Sequence, residues 1–369
     1  MNIKKIIVLA IFISLILGCE FCQASKISQR YIEKTKQIVN ETAEDYTKDY
    51  IDSILNGRKI NIDIVGLIKD KLFPEIHSTL KQIAIILVVT LIHTLIYSVQ
   101  TSLKNQGLGK ATFLAFFLTL STIVFQNLKD ILLYANEVIQ KGNSFAEAIF
   151  PILISTLATM GYVTCAASLS PKIIFALVFS SEFLKNIISP LVNIYIVISI
   201  LSNIDSGRFN LRRLLNFLKT VLLWSIVIGL VMFTGIVSIE SFTGAAVDNL
   251  VAKSIKYTVG NFVPFVGKIL SDAADTLAGS LGVVKNTISV VGLLTLLLVV
   301  GVPLFKILIV SLLFRLTATF VGIISDSRFA QFLDDYADNI LLIFSVVFAS
   351  LFVFVVTFST VLFVVQVGR

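Results

Sequence analysis

Five polar side chains stand at a spacing that a helix brings together. Asn261, Lys268, Ser271, Asp272 and Asp275 lie in the stretch Lys256–Thr276, at positions that share one face of an α-helix. Lys268 and Asp272 are a pair four residues apart, close enough to set opposite charges side by side. At bilayer depth such groups are costly unless they face protein or water, so one reading of the stripe is the lining of a wet or protein-filled interior. The other is an interfacial amphipathic helix, Phe262–Leu281, whose charges face solvent. Ser155, Thr159 and Tyr162 stand 113 residues before Lys268, Asp272 and Asp275, polar but uncharged. Glu182 and Lys185 form a second charged pair between apolar stretches. Their spacing suits a mutual salt bridge at a helix break, with a proton relay as the alternative. Arg315 lies within an apolar run, from which it can snorkel to the membrane surface or pair with an acid such as Asp326.

Other chemistry is missing from the residue pattern. The histidines are His77 and His93, a spacing that makes no metal site. His93 lies in an apolar helix and is expected to hydrogen-bond across a helix–helix contact. The cysteines are Cys19, Cys22 and Cys165. The Cys19–Cys22 spacing mimics a redox pair, but it closes an apolar run instead of opening a helix. Cys165 reads as a small packing residue. There is no phosphate-binding GxxxxGK[ST] loop, no GxSxG and no HExxH. The sequence therefore points away from an enzyme and implies no metal and no cofactor.

The elements that carry these residues belong to a membrane. The chain has 369 residues, 56% hydrophobic and 14% charged, whereas soluble domains are about 25% charged. The net charge of +7 is not gathered into a basic, aromatic-lined face. Many basic residues sit at the ends of apolar runs, as in cytoplasmic loops, so nucleic acid is not an expected partner.

Residues 1–24 read as a signal peptide, with Lys4 and Lys5 before the apolar core Ile6–Leu17. Cleavage after Ala24, lipidation at Cys19 and an uncleaved anchor remain alternatives, and all three export the chain from Ser25 onward. Residues 25–81 form an exported helical domain with ten Lys/Arg and nine Asp/Glu, too small to be very stable alone. It is expected to pack on its own membrane domain or on a partner.

Residues 82–369 form a polytopic membrane domain. Apolar runs at Gln82–Val99, Ala111–Leu128, Phe150–Leu169, Ile187–Ile204, Leu218–Ser238, Ile288–Val302 and Ile340–Gln366 approach the roughly 20 residues that cross a bilayer. Ile173–Leu184, Phe262–Leu281 and Leu304–Val321 are shorter, more polar or interrupted. The expectation is an all-α fold with about 7–9 membrane segments, some broken or re-entrant. Lys104, Lys110, Arg208, Arg212, Arg213 and Lys219 mark cytoplasmic loops. The acidic loop with Asp326, Asp334, Asp335 and Asp338 does not place the C-terminus.

The chain also resembles itself. Pro264 follows Pro151, and Pro303 follows Pro190, by the same 113 residues, which uses four of the six prolines. Leu157 and Leu270, Lys172 and Lys285, and Ile194 and Ile307 match at that offset. Beyond them the offset becomes 120, pairing Arg208-Phe209 with Arg328-Phe329. The reading is a duplicated unit, about 108–220 and 221–369, with Pro151, Pro190, Pro264 and Pro303 as candidate helix breaks. Interrupted segments in matched positions are how many transporters build a midplane site; duplication for architecture alone is the alternative.

The segment Lys256–Thr276, with Gly260-Asn-Phe-Val-Pro264 and Ser271-Asp272…Asp275-Thr276, resembles the signature of the stage III sporulation protein AE family. The signal sequence, the short exported region and the Ser206-Gly-Arg-Phe209 loop fit as well; Cys19 at the end of the signal is a departure that leaves the cleavage point open. The resemblance implies a membrane subunit on the mother-cell side of a secretion-like channel that joins mother cell and forespore. Its implied partners are other membrane subunits of that complex, ring-forming proteins in the intermembrane space and a cytoplasmic ATPase. A stand-alone secondary transporter for a small solute is the alternative.

Overall fold

The computed structural model describes residues 29–41, 48, 66, 72–102, 106–204, 211–262 and 266–363, and from 236 to 281 it describes few side chains. The expected signal peptide, most of the expected exported domain and Pro264 lie outside the described residues. The architecture is all-helical: α1 Phe73–Ser102, α2 Gln106–Thr159, α3 Val163–Phe183, α4 Ser189–Ile204, α5 Leu211–Phe262, α6 Val266–Leu296, α7 Val302–Ile324 and α8 Ser327–Phe363. A π turn, Leu184–Ile188, joins α3 to α4, and a second, Leu297–Gly301, joins α6 to α7.

Among the described residues six stretches are long and apolar enough to cross a membrane: Phe73–Gln100, Ala111–Thr159, Val163–Asn203, Leu211–Gly235, Gly282–Ile324 and Ser327–Val361. The chain is a polytopic membrane protein. There are fewer stretches than the apolar runs suggested because neighbouring runs fuse. Ile173–Leu184 continues into Ile187–Ile204 through the first π turn, and Ile288–Val302 into Leu304–Val321 through the second. Phe150–Leu169, by contrast, is not one span. Its helix ends at Thr159, and Gly161 takes φ 93°, a left-handed conformation that glycine adopts without a side-chain clash. Tyr162 N–H then donates to Leu157 O and Gly161 N–H to Ala158 O, the bond pair that closes a helix around a left-handed residue.

The prolines behave differently from the expected breaks. Pro151 lies inside α2, which continues past it. Pro190 and Pro303 each stand just after a π turn in a helix that also continues. A proline ring presses on the carbonyl four residues back. Those carbonyls belong to Asn186 and Val299, both within the π turns, where the wider winding moves them aside.

The main core cluster runs from Ile86 of α1 to Val361 of α8 and includes Val39 of helix 29–41; Phe233 and Val353 form a small second one. Phe314 meets Tyr336 edge-on at 4.5 Å, and Phe150 meets Phe358 at 4.8 Å. Tyr336 donates to Asn127 Oδ1, and Asn127 Nδ2 donates to Gln82 Oε1, tying α8, α2 and α1 together. In α1, His93 is buried in a ring of Tyr97, Phe113, Phe116 and Phe329. Among the described residues its nitrogens have no hydrogen-bond partner, so it packs there as an aromatic and does not make the expected interhelical bond.

One end of the bundle is stapled by charge. Asp338 of α8 accepts from Lys219 of α5 at 2.6 Å and from Arg315 of α7. Asp335 accepts from Asn203 of α4 at 2.8 Å and meets Arg212 of α5 at 3.5 Å. Arg315 thus pairs with Asp338, not with Asp326. Asp326 precedes α8 and accepts the Arg328 backbone N–H and guanidinium. Burial pushes its carboxyl up, but the hydrogen bonds and charge of Arg328 outweigh that and hold it below the usual range. The Arg328 guanidinium lies 3.8 Å from the Phe113 ring centre, a cation–π contact.

Candidate functional site at the first π turn

The first π turn forms one wall of a cavity of ≈ 260 Å³. The opposite wall is α2, which contributes Asn136, Gln140 and Asn143, and α8 closes the floor with Ile343 and Val346. Ser181, Leu184, Lys185, Ser189 and Val192 come from α3, the π turn and α4. The polar groups are segregated from the apolar ones. Ala135, Leu184, Val192, Ile343 and Val346 are buried, while Asn136, Gln140 and Lys185 are exposed at the mouth. Asn143 Nδ2 donates to Ser181 Oγ at 2.7 Å, linking α2 to α3 across the cavity.

The location matters as much as the lining. Val163–Asn203 spans 41 residues, about 60 Å of helix at 1.5 Å per residue, about twice a bilayer's hydrocarbon core. The π turn falls at its midpoint, and the contributions of α2 and α8 fall near the middle of Ala111–Thr159 and Ser327–Val361. A widened turn frees backbone geometry and is common at functional sites. Here it faces Asn136, Gln140 and Asn143, in a polar stretch of α2 that also carries Lys129, Asp130, Glu137 and Lys141.

The residues singled out from sequence are distributed unevenly around this cavity. Lys185 lines it. Glu182 does not: it accepts a hydrogen bond from Asn186 Nδ2, its neighbour one turn on. Among the described residues there is no salt bridge between Glu182 and Lys185. Ser155 and Thr159 are spent on their own helix, donating to Pro151 O at 2.7 Å and Thr156 O at 2.9 Å. Tyr162 is half-buried beside the α2–α3 turn, against the core. Asn261 lies at the end of α5, and Lys268, Ser271, Asp272 and Asp275 lie on α6; their side chains are outside the described residues. Pro190 follows the π turn at the cavity, and Pro303 follows its counterpart. Sequence reasoning missed Asn136, Gln140, Asn143, Ser181 and Ser189. A signal existed for the first three, because amides at i, i+4 and i+7 share one helical face.

A second buried polar centre lies at the α2–α3 turn. Asp248 of α5 is buried and accepts the backbone N–H of Thr164 at 3.1 Å and of Cys165 at 2.7 Å. A carboxylate at the start of a helix satisfies unpaired donors and opposes the helix dipole, so Asp248 anchors α3 to α5. Lys285 of α6 is fully buried nearby.

A family model described as stage III sporulation protein AE matches residues 46–365. The chain is also similar to the stage III sporulation protein AE of Bacillus subtilis (strain 168), 24% identical over 274 residues, covering 74% of this chain and 68% of that protein. No solved structure matches. A match running from residue 46 to the last helix, over a polytopic helical chain, leads to one conclusion: the chain belongs to the stage III sporulation protein AE family.

Proposed function

We propose that this chain is the multi-pass subunit, in the mother-cell membrane around the forespore, of a channel that connects the two cells and sustains late forespore development. A solute path runs past the cavity at the first π turn. The observation that carries this reading is a polar-lined cavity between three long helical stretches, each with an apolar run long enough to cross a membrane, in a chain of a sporulation family. Partners are the other membrane subunits of the stage III assembly, ring-forming proteins between the membranes and a cytoplasmic ATPase. The orientation follows from charge. In this reading Arg212 and Lys219 are on the cytoplasmic side; with six crossings, residues 25–81, the α5–α6 junction and the C-terminal end then lie on the exported side.

The test is a strain in which Asn136, Gln140 and Asn143 are all replaced by Leu. The variant is expected to reach the membrane in normal amount and to form few heat-resistant spores. A full spore yield with normal assembly overturns the reading. Gln140→Cys is expected to react with a water-soluble thiol reagent in intact membranes; protection from it counts equally against a wet path.

A stand-alone secondary transporter is the second reading, favoured by the two π turns standing 113 residues apart, as do the prolines that come after them. It requires solute uptake into liposomes by the purified chain alone, whereas a channel subunit co-purifies with partners and conducts only with them.

A further inference from the structure

The chemistry of the cavity lining selects a class of ligand. Among the described residues Lys185 is the only charged one that lines it, and it has no ion-pair partner among them. The nearest acid in sequence, Glu182, is outside the lining and is occupied by Asn186. An ammonium group at the mouth of a cavity with no counter-charge attracts an anion, and the low dielectric of the surrounding helices strengthens that attraction. The neutral groups suit the same ligand. The amide N–H₂ groups of Asn136 and Gln140 are donors, and Ser181 Oγ, which already accepts from Asn143, keeps its own O–H to donate. The buried floor of Val192, Ile343 and Val346 offers a carboxylate no hydrogen bonds, but it suits a compact apolar body. The volume of ≈ 260 Å³ lies just below the range of drug-sized sites, so the ligand is smaller than those.

We propose that this cavity binds a small organic anion, a carboxylate on a compact apolar body, with the carboxylate at Lys185 and the body on the floor formed by α4 and α8. The inference rests on the reading of the cavity as the working site and names the class of solute it takes.

The test uses the purified full chain in phosphatidylcholine nanodiscs and the fluorine NMR signals of 4-fluorobenzoate and 4-fluorobenzylamine, which share a body and differ in charge. Saturable broadening of the benzoate signal, without broadening of the amine, is expected. Lys185→Met is expected to weaken benzoate binding about tenfold or more, the scale of a lost charge-assisted hydrogen bond. Lys185→Arg is expected to keep it, and so is Lys141→Met, whose lysine pairs with Glu137 outside the cavity. Equal binding of both probes to the unaltered chain overturns the proposal without any variant, and so does full benzoate binding by a folded Lys185→Met protein. Displacement of benzoate when phosphatidylglycerol is added to the nanodiscs assigns the site to an anionic lipid headgroup and overturns the soluble-ligand proposal. Spore yield separates this inference from the functional reading. Selective binding lost in Lys185→Met with spore yield intact keeps the anion site and overturns the path. Unselective binding, with spores lost in the Asn136, Gln140 and Asn143 leucine variant, keeps the path and overturns the anion.

Discussion

The two π turns share a backbone device and differ in almost everything around it. Leu184–Ile188 carries Lys185 and faces Asn136, Gln140 and Asn143 across an open cavity. Leu297–Gly301 is wholly apolar, and Val300 and Gly301 are buried. There α2 approaches so closely that a Cβ on Gly142 would lie 2.7 Å from Phe354 Cε2 and 2.9 Å from Val300 Cγ2. The helix α2 therefore runs between a polar turn and an apolar one, presenting Asn143 to the first and its neighbour Gly142 to the second. The widened winding itself tracks the proline that comes after it, but proline alone is not sufficient, because Pro151 and Pro171 lie in ordinary α-helix. What separates a candidate solute site from a packing joint is the side-chain set that neighbouring helices bring to it.

Exchanging the chemistry of the turns is the most severe challenge to that distinction. Val300→Lys places an unpaired charge in the apolar joint and is expected to destabilise the protein by more than about 3 kcal/mol. Lys185→Leu at the polar turn, where the lysine is exposed, should change stability by no more than about 0.5 kcal/mol. Thermal unfolding in detergent measures both, and equal effects would erase the difference.

Filling the close approach comes next. Gly142→Val forces Val300 and Phe354 apart and should cost about 1–3 kcal/mol, read as a lower unfolding temperature. Unchanged stability would mean that α2 does not pack on the second turn. Ser181→Ala removes the acceptor for Asn143 at the open cavity, where water can replace it, and should cost about 1 kcal/mol or less. A larger loss would show that the cavity is held dry and rigid. The smallest effect is expected from Pro190→Ala and Pro303→Ala. Each removes the ring that favours the widened winding and should shift stability by about 1 kcal/mol or less. A marked loss in one alone would tie that proline to its own turn's packing.

The apolar runs identified the helices, and their hydropathy identified a bilayer as their surroundings. What was less legible was continuity. Phe150–Leu169 is as apolar as a single span, and only the left-handed Gly161 divides it. Leu184–Lys185 looked like the edge of a short segment, yet its helix runs on through the π turn. Hydropathy records which residues avoid water; it does not record where the backbone reverses. Lys185 was legible as a charge between apolar stretches, but its pairing with Glu182 was not realised, because that carboxylate accepts from Asn186.

Composition and periodicity alone determined that this is a polytopic helical protein, that it lacks the usual catalytic motifs, and that prolines recur at a fixed offset, because burial preference and helical period are local properties of the chain. Tertiary structure decided that Asn136, Gln140, Asn143 and Lys185 face one cavity, that Arg315 finds Asp338, and that one π turn is polar while its counterpart is packed. Each of those outcomes depends on which helices become neighbours, and residues as far apart as Asn127 and Tyr336 meet only after that choice has been made.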